Sequence, residues 1–129
     1  MIKRKAIIVE DNLILSILYE DYLNEKVFKT AGKIRNGDAA IRLVQKYEPD
    51  LVIMDIKLEG EMDGVEAAIK IRTFSDVPII FITGNSDPLH KERAALVPNS
   101  EFLRKPISKE ILFMAMDDML NDAEPDSPS

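Results

Sequence analysis

Three carboxylates, a hydroxyl and an ammonium follow four apolar runs in this chain. Glu10-Asp11 ends Ala6-Ile7-Ile8-Val9, Asp55 ends Leu51-Val52-Ile53-Met54, Thr83 ends Pro78-Ile79-Ile80-Phe81-Ile82, and Lys105 follows the shorter Phe102-Leu103. If the runs are parallel strands, their C-terminal ends share one sheet edge, where open α/β folds bind ligands. Two carboxylates about 4 Å apart repel by roughly 4 kcal/mol at an effective dielectric near 20. Glu10, Asp11 and Asp55 together therefore call for a cation, and the single charge of Lys105 is not enough. Mg²⁺ is the natural complement, because it takes a few carboxylates and a substrate phosphate. Such a set suits the acceptance of a phosphoryl group. Aspartate can be the nucleophile, while the cations and the Thr83 hydroxyl meet charge on the equatorial oxygens.

Positioning these groups takes five β-α units. The pattern predicts strands at about Lys5–Val9, Val27–Ala31, Leu51–Met54, Pro78–Ile82 and Glu101–Arg104. Helices are expected over Leu13–Lys26, from Gly37-Asp38 to Tyr47, from near Asp63, from Asp87-Pro88 to about Leu96, and from Ser108 to near Leu120. Asp63 and Glu66 have the spacing of a capping box, and Asp87-Pro88 that of an N-cap followed by a first-turn proline. Alternating strands and helices imply βαβ units and a parallel sheet. Runs one, three and four are apolar throughout, as strands covered on both faces are. Runs two and five carry charge, as edges do. The implied strand order is 2-1-3-4-5, the doubly wound flavodoxin-like α/β arrangement.

The remaining composition narrows the function. A length of 129 residues suits one domain with its own core. With 17 basic and 23 acidic residues the net charge is −6, which disfavours nucleic acid and anionic membrane as partners. The absence of cysteine excludes disulfides and thiolate metal sites. No stretch reaches membrane-spanning length and no signal-peptide pattern opens the chain, so a cytoplasmic protein is expected. The division expected is a domain over 1–121 and an acidic, Pro/Ser-containing tail over 122–129 that buries too little to order.

The residues Glu10-Asp11, Met54-Asp55-Ile56, Met62-Asp63-Gly64, Thr83-Gly84, Phe102 and Lys105-Pro106 resemble the pattern of response-regulator receiver domains of the chemotaxis type. The likeness runs from Lys5 to about Leu120. It implies that Asp55 accepts phosphate from the phosphohistidine of a sensor histidine kinase or phosphotransfer protein. It further implies Mg²⁺ held by Asp11, Asp55, Glu10 (through water) and the backbone carbonyl of Lys57. Lys105 would contact the phosphoryl oxygens, Thr83 and Phe102 would form the switch, and the Lys105–Pro106 bond would be cis. Such a chain is a phosphorylated switch, not a turnover enzyme. Its output would pass to a downstream protein through the face of the fourth helix, fifth strand and fifth helix. Lys57 and Asn85 stand where this family tunes access of water to the phosphoryl group. The chain departs from the family's common form in a longer loop, Lys57-Leu58-Glu59-Gly60-Glu61-Met62, and in Pro98-Asn99 before the fifth strand.

Plainer readings exist for each residue taken alone. Glu10-Asp11 could cap the first helix, Thr83 could serve a turn, and Phe102 could be core packing. His90 reads as a solvated surface histidine. The run Ile111–Met116 is wider than the apolar stripe of about 100° that a surface helix needs. Either the helix is deeply packed, or Phe113, Met114 or Leu120 meet a partner or a second copy of the chain. Two other functions share parts of the pattern: a haloacid-dehalogenase-like phosphatase, which wants an aspartate where Lys57 stands, and a pseudo-receiver that binds partners without phosphorylation. A nucleotide-binding domain lacks its Gly-rich loop here.

Overall fold

The computed structural model describes residues 3–84 and 87–120. Five strands, β1 (Arg4–Val9), β2 (Phe28–Ile34), β3 (Leu51–Met54), β4 (Ile79–Thr83) and β5 (Ser100–Arg104), alternate with five helices. The helices are α1 (Leu13–Glu25), α2 (Gly37–Tyr47), α3 (Gly64–Arg72), α4 (Pro88–Ala95) and α5 (Lys109–Leu120). All pairings are parallel and the order is β2-β1-β3-β4-β5. This is the flavodoxin-like order read from the apolar continuity of the strands.

Because side chains alternate across a strand, the sheet carries two cores. Ile7, Val9, Val52, Met54, Ile79 and Phe81 pack with α2, α3 and Ala94 of α4. Ala6, Ile8, Leu51, Ile53, Ile80 and Ile82 pack with Tyr19 and Leu23 of α1 and Leu112, Ala115 and Met116 of α5. Every residue of β3 and β4 is buried, as their unbroken apolar sequence requires. Phe102 is half-buried and packs against the first of these cores.

Local signals set the helix starts. Asn12 caps α1, accepting from Leu15 N at 3.1 Å, so the acid pair before it is released for other work. Asn36 caps α2. Asp63 and Glu66 form a reciprocal capping box at α3, both bonds 2.9 Å. Asp87 caps α4 with Pro88 in its first turn. Ser108 Oγ accepts from Ile111 N at 3.2 Å at the start of α5.

Three details differ from the sequence reading. β2 continues past Gly32 to Ile34, because a register shift opposite Ala6/Ile7 absorbs one residue and lets pairing resume. On α5, Phe113 packs against the second core and lies under Lys26, whose Nζ is 5.1 Å from the ring centroid. The exposed apolar residues there are Ile111 and Met114. His90 is half-buried, with a buried Nδ1, and not a fully solvated histidine. Asn99, before β5, has a φ of 54°, at the Pro98-Asn99 step where the chain departs from the family's common form. The expected tail over 122–129 and the role assigned to Asn85 lie outside the described residues.

Candidate phosphoacceptor site

Sheet register brings the chosen residues together. Glu10 N donates to Ile34 O, Asp55 N to Val9 O, and Lys105 N to Thr83 O, each at 2.9 Å. With Met54 paired to Phe81 across β3 and β4, four strand ends are aligned, and their side chains converge. Glu10, Asp11 and Asp55 can bring carboxylate oxygens within 4.8 Å of one another. A cavity of about 320 Å³ is lined by Asp11, Asp55, Lys57, Thr83, Gly84 and Lys105. Wider clefts, about 580 Å³ beside Phe74 and about 470 Å³ beside Ile69, lie on other surfaces.

Lys105 bridges the acids. Its Nζ donates to Asp55 Oδ2 at 2.9 Å and stands 3.0 Å from Glu10 Oε1. The second contact is an ion pair without hydrogen-bond alignment, so Glu10 Oε1 has no donor. Glu10 Oε2 accepts from Asn12 N at 3.0 Å. Asp55 Oδ1 is buried and likewise has no hydrogen-bond partner. Two buried carboxylate oxygens without donors are costly. Glu10 Oε1 has the Lys105 ammonium beside it, so Asp55 Oδ1 is the oxygen that a further cation would satisfy.

The proton affinities reflect this crowding. Burial, with Asp55 adding to it, pushes the Glu10 carboxyl up despite the Asn12 amide and Lys105. Burial alone would depress the Lys105 ammonium, but Asp55 and Glu10 outweigh it and hold the group above the ordinary lysine range. Tyr19, buried in the core beneath, is pushed up to about 12, chiefly by desolvation.

Mg²⁺ fits this donor set: three carboxylates, hard oxygen ligands, and two donorless buried oxygens among them. Lys57 lines the same cavity. The Lys105–Pro106 bond is cis. Among the described residues, Glu10, Asp11, Asp55, Lys57, Thr83 and Lys105 meet in one place, whereas Phe102 belongs to the adjoining core.

A feature the sequence reading missed adjoins the acids. Leu13, Ile14, Ile17 and Leu18 of α1 are exposed, by 62, 77, 52 and 37%. Their spacing (i, i+1, i+4, i+5) places them on one helical face. A helix apolar on more than its core side was the available signal.

A doubly wound sheet with acids, hydroxyl and lysine on four strand ends defines a class of signalling fold, and the comparisons identify the family. The model of the response regulator receiver domain matches residues 6–117, and the chain belongs to that family. It is 31% identical over 116 residues to the transcriptional regulatory protein PdtaR of Mycobacterium tuberculosis, covering 90% of this chain and 56% of the relative. It is 29% identical to the chemotaxis protein CheY of Halobacterium salinarum, covering 91% and 97% of the two chains. The signal receiver domain of a modulated diguanylate cyclase from Desulfovibrio desulfuricans superimposes with a TM-score of 0.85 at 30% identity, covering 94% of this chain and 96% of that one. The chain spans about half the length of several curated relatives, 56% of PdtaR and 53% of the Bacillus subtilis regulator YdfI. Among the described residues no helix is long and apolar enough to cross a membrane.

Proposed function

We propose that this receiver is an Mg²⁺-dependent phosphoacceptor, taking a phosphoryl group on Asp55 from the phosphohistidine of a sensor kinase or phosphotransfer protein. The observation that carries the reading is the state of the Asp55 carboxylate: Lys105 holds one oxygen, while the other is buried without a donor beside Glu10 and Asp11.

In the transfer, an Asp55 oxygen attacks phosphorus and the P–N bond to the donor imidazole breaks. The electron pair returns to that nitrogen, and Asp55 becomes a mixed anhydride. Lys105 is placed to turn from Asp55 Oδ2 to a phosphoryl oxygen, keeping its charge beside the group that needs it. Thr83, on the cavity wall, offers its hydroxyl to another. Asp11, Asp55, the Lys57 carbonyl and, through water, Glu10 would hold Mg²⁺, which would supply charge neutralisation for the transferring oxygens. The exposed α1 face beside Asp11 gives the donor an apolar seat next to the acceptor.

The product is a switch in stoichiometric use, not a turnover catalyst. Thr83 and Phe102 relate phosphorylation to the face of α4, β5 and α5, where Ile111 and Met114 are exposed to meet a downstream protein or a second copy. The cytoplasm, where kinases and phosphotransfer partners work, is the compartment that goes with this role. Intact mass after incubation with acetyl phosphate and Mg²⁺ tests the reading. One added phosphoryl group, absent in Asp55→Asn and in EDTA, is the expected result. No addition to folded protein that binds Mg²⁺, from acetyl phosphate or a phosphorylated kinase, would make the chain a pseudo-receiver.

A further inference from the structure

We propose that the Arg93–Asp63 ion pair couples the acid site to α4 by a route separate from Thr83, an inference that rests on the phosphoacceptor reading. Asp63 is joined to the acceptor through backbone. Gly64 N donates to Ile56 O at 2.7 Å, and a β-carbon on Gly64 would overlap the Asp55 carbonyl oxygen. The segment from Asp55 to Gly64 is thus a closed loop whose two ends touch. It carries Lys57 past the cavity and returns at Asp63.

This loop is gripped at two places. On one side Arg35 donates to Glu59 Oε2 at 2.7 and 3.1 Å, and Asn36 and Glu59 form a backbone bridge. On the other, Arg93 of α4 holds both Asp63 oxygens, at 2.8 and 3.1 Å. Asp63 Oδ1 meanwhile accepts from Glu66 N, and Glu66 Oε1 takes Asp63 N. The carboxylate therefore has little freedom to follow Arg93; a shift of the loop must move Arg93 or break the pair.

α4 is the element most open to such a pull. It has eight residues and, of them, only Ala94 is buried, while Leu89 is 56% exposed. Helices with few buried contacts open and shift most readily. A bidentate, half-buried ion pair is then a large part of what fixes α4. Occupancy of the site changes the charge that Asp55 and the loop carry, and the pair passes that change to α4.

Hydrogen exchange followed by mass spectrometry on the full chain tests this, using Mg²⁺ and beryllofluoride as the phosphoryl mimic. Wild type, Thr83→Ala, Arg93→Gln and the double variant are compared. Arg93→Gln should speed exchange of α4 amides about fivefold in the free protein. The mimic should still alter α4 exchange in Thr83→Ala, and that residual response should vanish in the double variant. Asp63→Asn, which keeps a good N-cap, should reproduce Arg93→Gln and stands in for it if that variant unfolds. A residual response unchanged in the double variant, or none in Thr83→Ala alone, overturns the coupling. Absence of any protection near Asp55 in wild type would instead overturn the phosphoacceptor reading, and this inference with it.

Discussion

Gly64 and Asp55 are in backbone contact: Gly64 Cα approaches so closely that a β-carbon there would overlap the Asp55 carbonyl and stand 2.9 Å from Ile56 Cα. Gly64 opens a helix, a place where alanine is normally favoured by roughly 1 kcal/mol. Here the sign should reverse. Gly64→Ala is expected to lose about 2–3 kcal/mol in urea denaturation, and a neutral or stabilising result would mean that the loop has room to move.

Metal binding should stabilise the fold without any phosphate. At a Mg²⁺ concentration about tenfold above Kd, linkage gives about 1.4 kcal/mol, or roughly 3–8 °C in Tm for a domain of this size. Differential scanning fluorimetry with and without EDTA reads the shift. Asp11→Asn should lose most of it, because the carboxylate cluster falls from three to two.

Glu101 predicts a pH dependence. Burial raises its carboxyl above 4.5, and Asp118 adds to the effect. A raised carboxyl contributes stability below the unfolded value and loses it as pH rises through the folded one. Glu101→Gln should therefore melt higher than wild type at pH 7, by less than about 1 kcal/mol, and the two should converge below about pH 4.5. A gap that persists at pH 4 would mean that the shape of the side chain, and not its charge, sets the difference.

The two faces of α5 should separate by mutation. Met114 is 67% exposed, so Met114→Glu should leave Tm nearly unchanged, within about 0.5 kcal/mol. It should weaken self-association or partner capture measured by light scattering or pull-down. Phe113→Glu should instead unfold the protein more easily, because Phe113 packs on the second core and under Lys26.

The central architecture was legible because it is written in composition. Strands buried on both faces must be apolar throughout, so β1, β3 and β4 announced themselves, and their last residues gave the site. Glycine at position 32 hid the second half of β2, since pairing across a bulge leaves no periodic trace. The neighbouring acids hid Asn12, the residue that caps α1. Arg35–Glu59 and Arg93–Asp63 join residues 24 and 30 apart, and a surface charge does not name its distant partner. The outward residues of α5 were ambiguous for a related reason: six apolar residues in a row fit several rotations, and only packing against α1 and β5 selects one.

The strand order also has a developmental meaning. Positions 10 and 11, 55, 83 and 105 come from the first, third, fourth and fifth βα units, and Lys105 belongs to the last of them. A ribosome must deliver most of the chain before the acids gain their internal counter-charge. A partly synthesised copy therefore holds acids without the lysine that pairs with them in the fold. On the phosphoacceptor reading proposed above, completion of the fold and assembly of the acceptor site would therefore arrive together.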